Sequence, residues 1–239
     1  MIARTILLAW SLTSTWAGAE DLRVAVAANF RPAFVEVSEL YEQHSGTRPD
    51  AVFGSSGMLY AQITQGAPFH LFLSADRKRP LQLEAAGLTA SRVITYARGR
   101  LALWMPERAA SPDALAGERF ALANPQLAPY GEAARACLEH LDLWQANEAN
   151  AVYGNNVSQT FHFVASGAVG AGLVAHAQLL SEDVPNREIW LAPDSCYEPI
   201  DQGAVVLKSS FEPEAARFMT FLLGHEVQER LAALGYAPL

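Results

Sequence analysis

The sequence predicts an α/β protein of two lobes, each a mostly parallel sheet flanked by helices. Short apolar runs of strand length alternate with segments whose apolar residues recur at helical spacing, the pattern of βα units joined by right-handed crossovers. The junctions between them repeat one grammar, an apolar run that stops at small or polar residues before a helix opens. It occurs at Ala27-Ala28-Asn29-Phe30, at Phe53-Gly54-Ser55-Ser56-Gly57, at Ala123-Asn124-Pro125 leading to Tyr130-Gly131, and at Gly154-Asn155-Asn156-Val157. The 239 residues, 51% hydrophobic and 18% charged, suffice for one or two domains with proper cores.

Residues 1–19 stand apart from this pattern. Arg4 supplies a positive end, Ile6 to Trp10 is apolar, and Ala17-Gly18-Ala19 suits signal-peptidase cleavage before Glu20, so the chain reads as exported. In the mature chain, Leu22 to Ala27 reads as a buried strand, and the helix after it puts Phe30, Phe34, Val37 and Tyr41 on one face before ending near Gly46. Arg48 to Phe53 is the next strand, with Ser55 or Ser56 as the cap of a helix carrying Leu59 and Ile63. Leu71 to Leu73 is a short strand, and Ala75-Asp76 leads to a helix from about Arg77 to Ala86.

Arg100 to Met105 reads as a strand that carries the chain into a second lobe. There, Phe120 to Ala123 with the helix Gly131 to Leu141, and Ala151 to Gly154 with Val157 to Ser166, make two more βα units, followed by strands at Ala171 to Ala175 and Glu188 to Leu191. A strand at Gly203 to Lys208 returns the chain, and two helices, Pro213 to Leu223 and His225 to Leu234, close it. The expected division is 1–19 signal peptide, 20–100 with 203–239 as the first lobe, and 101–202 as the second.

In parallel α/β sheets the ligand crevice lies outside the carboxyl ends of the strands, where all four junctions fall. The first-turn amides of a helix lack intrahelical acceptors and carry the positive end of its dipole, so each junction can face an anion. Asn29, Ser56 and Asn156 also read individually as N-caps; their recurrence together is what suggests an uncharged cradle for a dianion. Without Arg4, 16 basic and 25 acidic residues leave a net charge of −9, which disfavours nucleic acid and requires short-range donors to outweigh a repulsive global field.

Other chemistries find little support. No histidine pair has the i, i+4 spacing of a zinc helix, Ser74 lacks a Gly-x-Ser-x-Gly elbow, and no Gly-x-x-x-x-Gly-Lys loop occurs. Asp76 could serve an exported hydrolase together with a histidine, or could simply cap the helix at Arg77. Cys137 and Cys196 would meet an oxidising compartment after export, and pairing requires their Cα atoms to come within about 7 Å.

Val26-Ala-Ala-Asn-Phe30, Phe53-Gly-Ser-Ser-Gly57, Gln65-Gly-Ala-Pro-Phe69, Phe72-Leu-Ser-Ala-Asp76, Asn124-Pro125 with Ala128-Pro-Tyr-Gly131, and Asn156-Val157 together resemble the periplasmic molybdate-binding proteins that feed ABC transporters. The resemblance covers nearly all of the mature chain. It implies a two-lobed type II periplasmic binding fold, a monomer that takes up molybdate or tungstate between its lobes and hands it to a membrane permease. It implies no cofactor, no reaction and no direct ligation of the metal atom. Carried over by position, Asn29 and Ser56 are oxyanion donors, and Tyr130 and Val157 contribute backbone amides, with Asn156 adjacent. Many members also place a tyrosine shortly before the strand at Gly203 to Lys208; Asp201 or Gln202 stands there instead, so a fifth donor is expected to be missing or replaced. The alternatives are a receptor for sulfate, phosphate or ferric ion on the same scaffold, the exported hydrolase, and a ligand-sensing regulator, which the export signal disfavours.

Overall fold

The computed structural model describes residues 21–238; the expected signal over residues 1–19 lies outside them. The first lobe is built from β1 (Arg23–Ala27), a 3-10 turn (Ala28–Phe30) running into α1 (Arg31–Ser45), β2 (Asp50–Gly54), α2 (Ser56–Thr64), β3 (Leu71–Leu73), α3 (Lys78–Ala85) and β4 (Ile94–Gly99). At Arg100 the chain passes to the second sheet through β5 (Leu101–Trp104), β6 (Phe120–Ala123), α4 (Pro129–His140), α5 (Trp144–Asn147), β7 (Ala151–Gly154), α6 (Val157–Ala165), β8 (Ala171–Ala175), α7 (His176–Ser181) and β9 (Ile189–Leu191). It returns in β10 (Ile200–Val206) and ends in α8 (Glu212–Leu222) and α9 (His225–Ala233).

Each sheet has five strands, in the orders β2-β1-β3-β10-β4 and β7-β6-β8-β5-β9. The βα strands are parallel, whereas β10 pairs antiparallel with β3 and β4, and β5 pairs antiparallel with β8 and β9. Each sheet is therefore mixed in equal parts, because β5 and β10 are the strands by which the chain enters one sheet and re-enters the other, and both run against their neighbours. Two local differences from the expected elements follow from this crossing. A strand not read in the sequence, β4, precedes Arg100, and β10 starts at Ile200 instead of Gly203. The β10 register shifts between Gln202 and Gly203, a bulge that breaks the period-two pattern on which a strand reading depends.

The alternation of side chains fixes where the cores sit. On β1, Val24 and Val26 face α1 and the terminal helices, packing with Phe34, Val37 and Phe218, while Ala25 faces the opposite side with Leu59, Ile63 and Leu83 of α2 and α3. The Tyr41 ring meets Phe218 edge to face at 5.0 Å, tying α1 to α8. The second lobe buries β5, β6 and β8 on both faces, with Trp144, Leu138 and Val164 against them. Cys137 on α4 forms a disulfide with Cys196, closing a sequence separation of 59 residues and anchoring the segment before β10 to the second lobe.

Candidate functional site

The registers of the two sheets place the four junctions level in pairs. In the first lobe Ala27 of β1 stands opposite Gly54 of β2, and in the second Ala123 of β6 stands opposite Gly154 of β7, each at the end of its strand. The chain then turns into α1, α2, α4 and α6, whose starts meet across the lobes. The amide of Gly57 donates to the carbonyl of Leu127 at 2.9 Å, joining the start of α2 to the loop before α4. The Ser158 hydroxyl donates to the Ala28 carbonyl at 3.0 Å, joining the start of α6 to the end of β1.

Between them lies a small cavity lined by residues 27–29, 54–56, 75, 128–130, 156 and 157, with about 10 Å³ available to the centre of a water-sized sphere. None of these lining residues is charged. Asn29, Ser56, Tyr130 and Val157 are all at most 3% exposed and all line it, as does Asn156. The structure thus brings together the five residues that the sequence had placed at separate helix starts.

Their roles divide according to which side chains are already engaged. Ser55, not Ser56, caps α2 by accepting from the amide of Met58 at 3.3 Å, and Asn156 caps α6 by accepting from the amide of Gln159 at 2.9 Å. Ser56 is released from capping. Its oxygen accepts from the buried amide of Ala75 at 2.9 Å, which leaves its own hydrogen to be donated. Asn29 makes no capping bond; its amide nitrogen donates to Oε1 of Gln202 at 3.1 Å. Tyr130 and Val157 occupy first-turn positions of α4 and α6, where the helix supplies no acceptor for their amides.

Gly131 explains how the Tyr130 amide is placed. A Cβ at position 131 would collide with the carbonyl oxygen of Ala123, so only glycine lets the first turn of α4 lie against the end of β6. The Tyr130 ring turns away from this contact, its hydroxyl lying against Gly99; burial pushes its phenol well above the usual range, and a hydrogen bond with Asn29 works in the opposite direction. Tyr96 and Tyr236 are raised well above their ordinary values for the same first reason, burial, so all three hydroxyls stay neutral.

The two residues offered in place of a fifth donor separate. Asp201 pairs with Arg98 at 2.6 Å, is partly exposed and is not among the cavity-lining residues. Gln202, on the other face of β10, is fully buried and reaches the site through Asn29. Asp76 is engaged as a cap: it accepts from the Arg79 amide at 2.9 Å and is ion-paired with the Arg79 guanidinium. Arg79, the buried cation beside Gly57, is thereby neutralised, and it also donates to the Gln126 carbonyl across the lobes at 3.3 Å. Sequence reasoning did not find Tyr96, Tyr236 or Ser158. Tyr236 donates to the Asn29 carbonyl from 207 residues away, and no local pattern announces such a contact. Among the described residues there is no cluster of histidine, cysteine or carboxylates suited to a metal ion, and no helix long and apolar enough to cross a membrane.

Residues 22–237 match the family described as bacterial extracellular solute-binding protein. The chain is 37% identical over 227 residues to the molybdate-binding protein ModA of Rhodobacter capsulatus, covering 92% of this chain and 89% of that one. Its fold superposes on the periplasmic molybdate-binding protein of Azotobacter vinelandii with a TM-score of 0.85 at 35% identity, covering 92% of this chain and all of the other. The sulfate-binding protein SubI of Mycobacterium tuberculosis shares the fold, with a TM-score of 0.74 at 14% identity. With a two-lobed binding fold, an uncharged cavity between the lobes and relatives of this kind along nearly its whole described length, the chain belongs to the bacterial extracellular solute-binding proteins, in the family of the molybdate-binding ModA proteins.

Proposed function

We infer that this protein is a periplasmic receptor that captures molybdate or tungstate between its lobes and delivers it to an ABC-transporter permease. The observation that carries the reading is the cavity itself: four helix starts meet on it and no charged side chain lines it. A dianion placed there exchanges its water shell for amides and hydroxyls that are already oriented, and the helix dipoles add to the attraction. Charge-assisted hydrogen bonds of this kind contribute roughly 1.5–3 kcal/mol each. The donors are the Ser56 hydroxyl, the Asn29 carboxamide and the amides of Tyr130 and Val157, with Asn156 holding the start of α6.

Size weighs against larger solutes. Pockets for sugars, amino acids or larger organic solutes run to about 300 Å³ or more, whereas this cavity, at about 10 Å³, is close to what a single water needs, so even a small ion would enter only as the lobes part. Lobes of residues 20–100 with 203–239 and of 101–202 would part at the two crossings near Arg100 and Gln202 to admit it. Residues 1–19 would direct export and be removed, and the mature monomer would act on the ion without chemical change, using no cofactor and no nucleic acid. The engagement of Asp76 by Arg79 argues against the hydrolase alternative.

Thermal denaturation with each oxyanion tests this reading. A ligand at a thousandfold its Kd stabilises the folded state by about 4 kcal/mol, which for a chain of this size raises the Tm by about 10 °C. Molybdate and tungstate should do so, while sulfate and phosphate at equal concentration should have little effect. Equal shifts from sulfate, or none from molybdate, would overturn the assignment.

A further inference from the structure

Gln202 is fully buried, and its amide nitrogen has no hydrogen-bond partner. A buried amide with an unmade bond costs stability, and an apolar side chain of similar volume would avoid that cost. The nitrogen therefore does not account for glutamine at this position. Its oxygen, by contrast, is used twice. Oε1 accepts from the Asn29 amide nitrogen at 3.1 Å and from the Tyr96 hydroxyl at 2.9 Å. Phe30 holds this arrangement from the side, its ring meeting Tyr96 at 4.9 Å and Tyr236 at 5.5 Å, both edge to face. Tyr236 in turn donates to the Asn29 carbonyl at 3.2 Å, so the Asn29 backbone and side chain are both held by groups outside the cavity.

The consequence for an anion is directional. A carboxamide can present N–H or C=O to the cavity, and only the first attracts negative charge. An acceptor at position 202 requires Asn29 to turn its nitrogen toward Gln202. The Asn29 carboxamide also hydrogen-bonds the Tyr130 hydroxyl, a bond that an entering anion would displace to take the second hydrogen on that nitrogen, while the Asn29 oxygen, which an anion would repel, is held in a fixed direction. The Gln202 amide is itself confined, because Tyr96 occupies its oxygen and its nitrogen lies with the Tyr130 hydroxyl over Gly99, where a Cβ would collide with that hydroxyl. Gln202 sits at the bulge of β10, one of the strands linking the lobes, so the same side chain spans the hinge and the ligand donor.

We propose that Gln202 is a positioning residue of the oxyanion site, acting through Asn29 and held in place by Tyr96. The proposal rests on the oxyanion-receptor reading above and deepens it. The test is a double-mutant cycle read by calorimetric titration with molybdate: wild type, Gln202→Met, Asn29→Ala and the double variant, with Tyr96→Phe as a second perturbation that keeps the ring packing. Gln202→Met should weaken binding about tenfold and Tyr96→Phe several-fold, and both effects should nearly vanish in the Asn29→Ala background, since an effect transmitted through a removed side chain has nothing left to act on. A purely structural role would instead give losses that add to that of Asn29→Ala. Additive losses, or unchanged affinity in Gln202→Met and Tyr96→Phe, would overturn the proposal while wild-type binding leaves the receptor reading intact; wild type that fails to bind molybdate would remove both. Should Gln202→Met not fold, the cycle of Tyr96→Phe with Asn29→Ala decides the question alone.

Discussion

Replacing Ser56 by alanine separates binding from folding at a single atom. The hydroxyl is 1% exposed, lines the cavity and accepts from the Ala75 amide at 2.9 Å, so its removal has two consequences. The first is loss of one donor to a dianion, which should weaken molybdate binding by about 1.5–3 kcal/mol, or roughly 10- to 150-fold. The second is an unpaired amide at Ala75, itself only 3% exposed, which should lower the stability of the ligand-free protein by about 1–3 kcal/mol. Calorimetric titration reads the first effect, and urea denaturation without ligand reads the second. Since the amide at Ala75 is unpaired with or without the ion, the stability loss cancels from the affinity. A folded Ser56→Ala protein whose Kd stays within about twofold of wild type would refute the role of this hydroxyl as a donor.

Gly131→Ala should lower stability by about 2 kcal/mol or more, through collision with the Ala123 carbonyl, and weaken binding by displacing the Tyr130 amide; wild-type denaturation and affinity would count against the junction geometry. Removing the Cys137–Cys196 disulfide by double alanine substitution should cost about 4 kcal/mol for a loop of this length and lower the Tm by about 10 °C, with an unchanged Tm as the contrary result. Ser158→Ala removes the bond to Ala28 across the lobes and should speed ligand release about fivefold with little change in the association rate, as stopped-flow kinetics would show. Burial lowers the His176 pKa below its ordinary 6.5, so the unfolded chain binds more protons than the folded one as pH falls through that value. Stability should therefore drop as the pH falls through about 6.5, and the denaturation midpoint of His176→Gln should show a shallower pH slope there.

The four cradles could be read from the sequence because each is a local signal: an apolar run, a small or polar residue, then helical spacing. The spatial convergence of Asn29, Ser56, Tyr130 and Val157 follows from strand order and register, and in the sequence only the topology rule for α/β sheets and the resemblance to the molybdate-binding proteins pointed to it. The capping assignments needed the structure, since Ser55 and Ser56 are adjacent and equally good caps in sequence, and choosing Ser55 is what frees Ser56. β4 was missed because Ile94 to Gly99 carries Thr95, Arg98 and Gly99 among its apolar residues and lies on a sheet edge. The separation of Asp201 from Gln202 was equally hidden, because neighbouring strand residues face opposite sides and the bulge obscures which side is inward. The disulfide depended on a distance that two isolated cysteines do not encode.

The central claim is that uncharged donors at four helix starts hold the oxyanion. Anomalous diffraction from crystals grown with molybdate measures this directly, because the metal atom locates the ion without interpretation of its shape. The metal peak should lie in the cavity between α1, α2, α4 and α6, with ligand oxygens at hydrogen-bond distance from the Ser56 hydroxyl, the Asn29 amide nitrogen and the backbone amides of Tyr130 and Val157. A peak elsewhere, or an ion held by an arginine or lysine side chain, would contradict it.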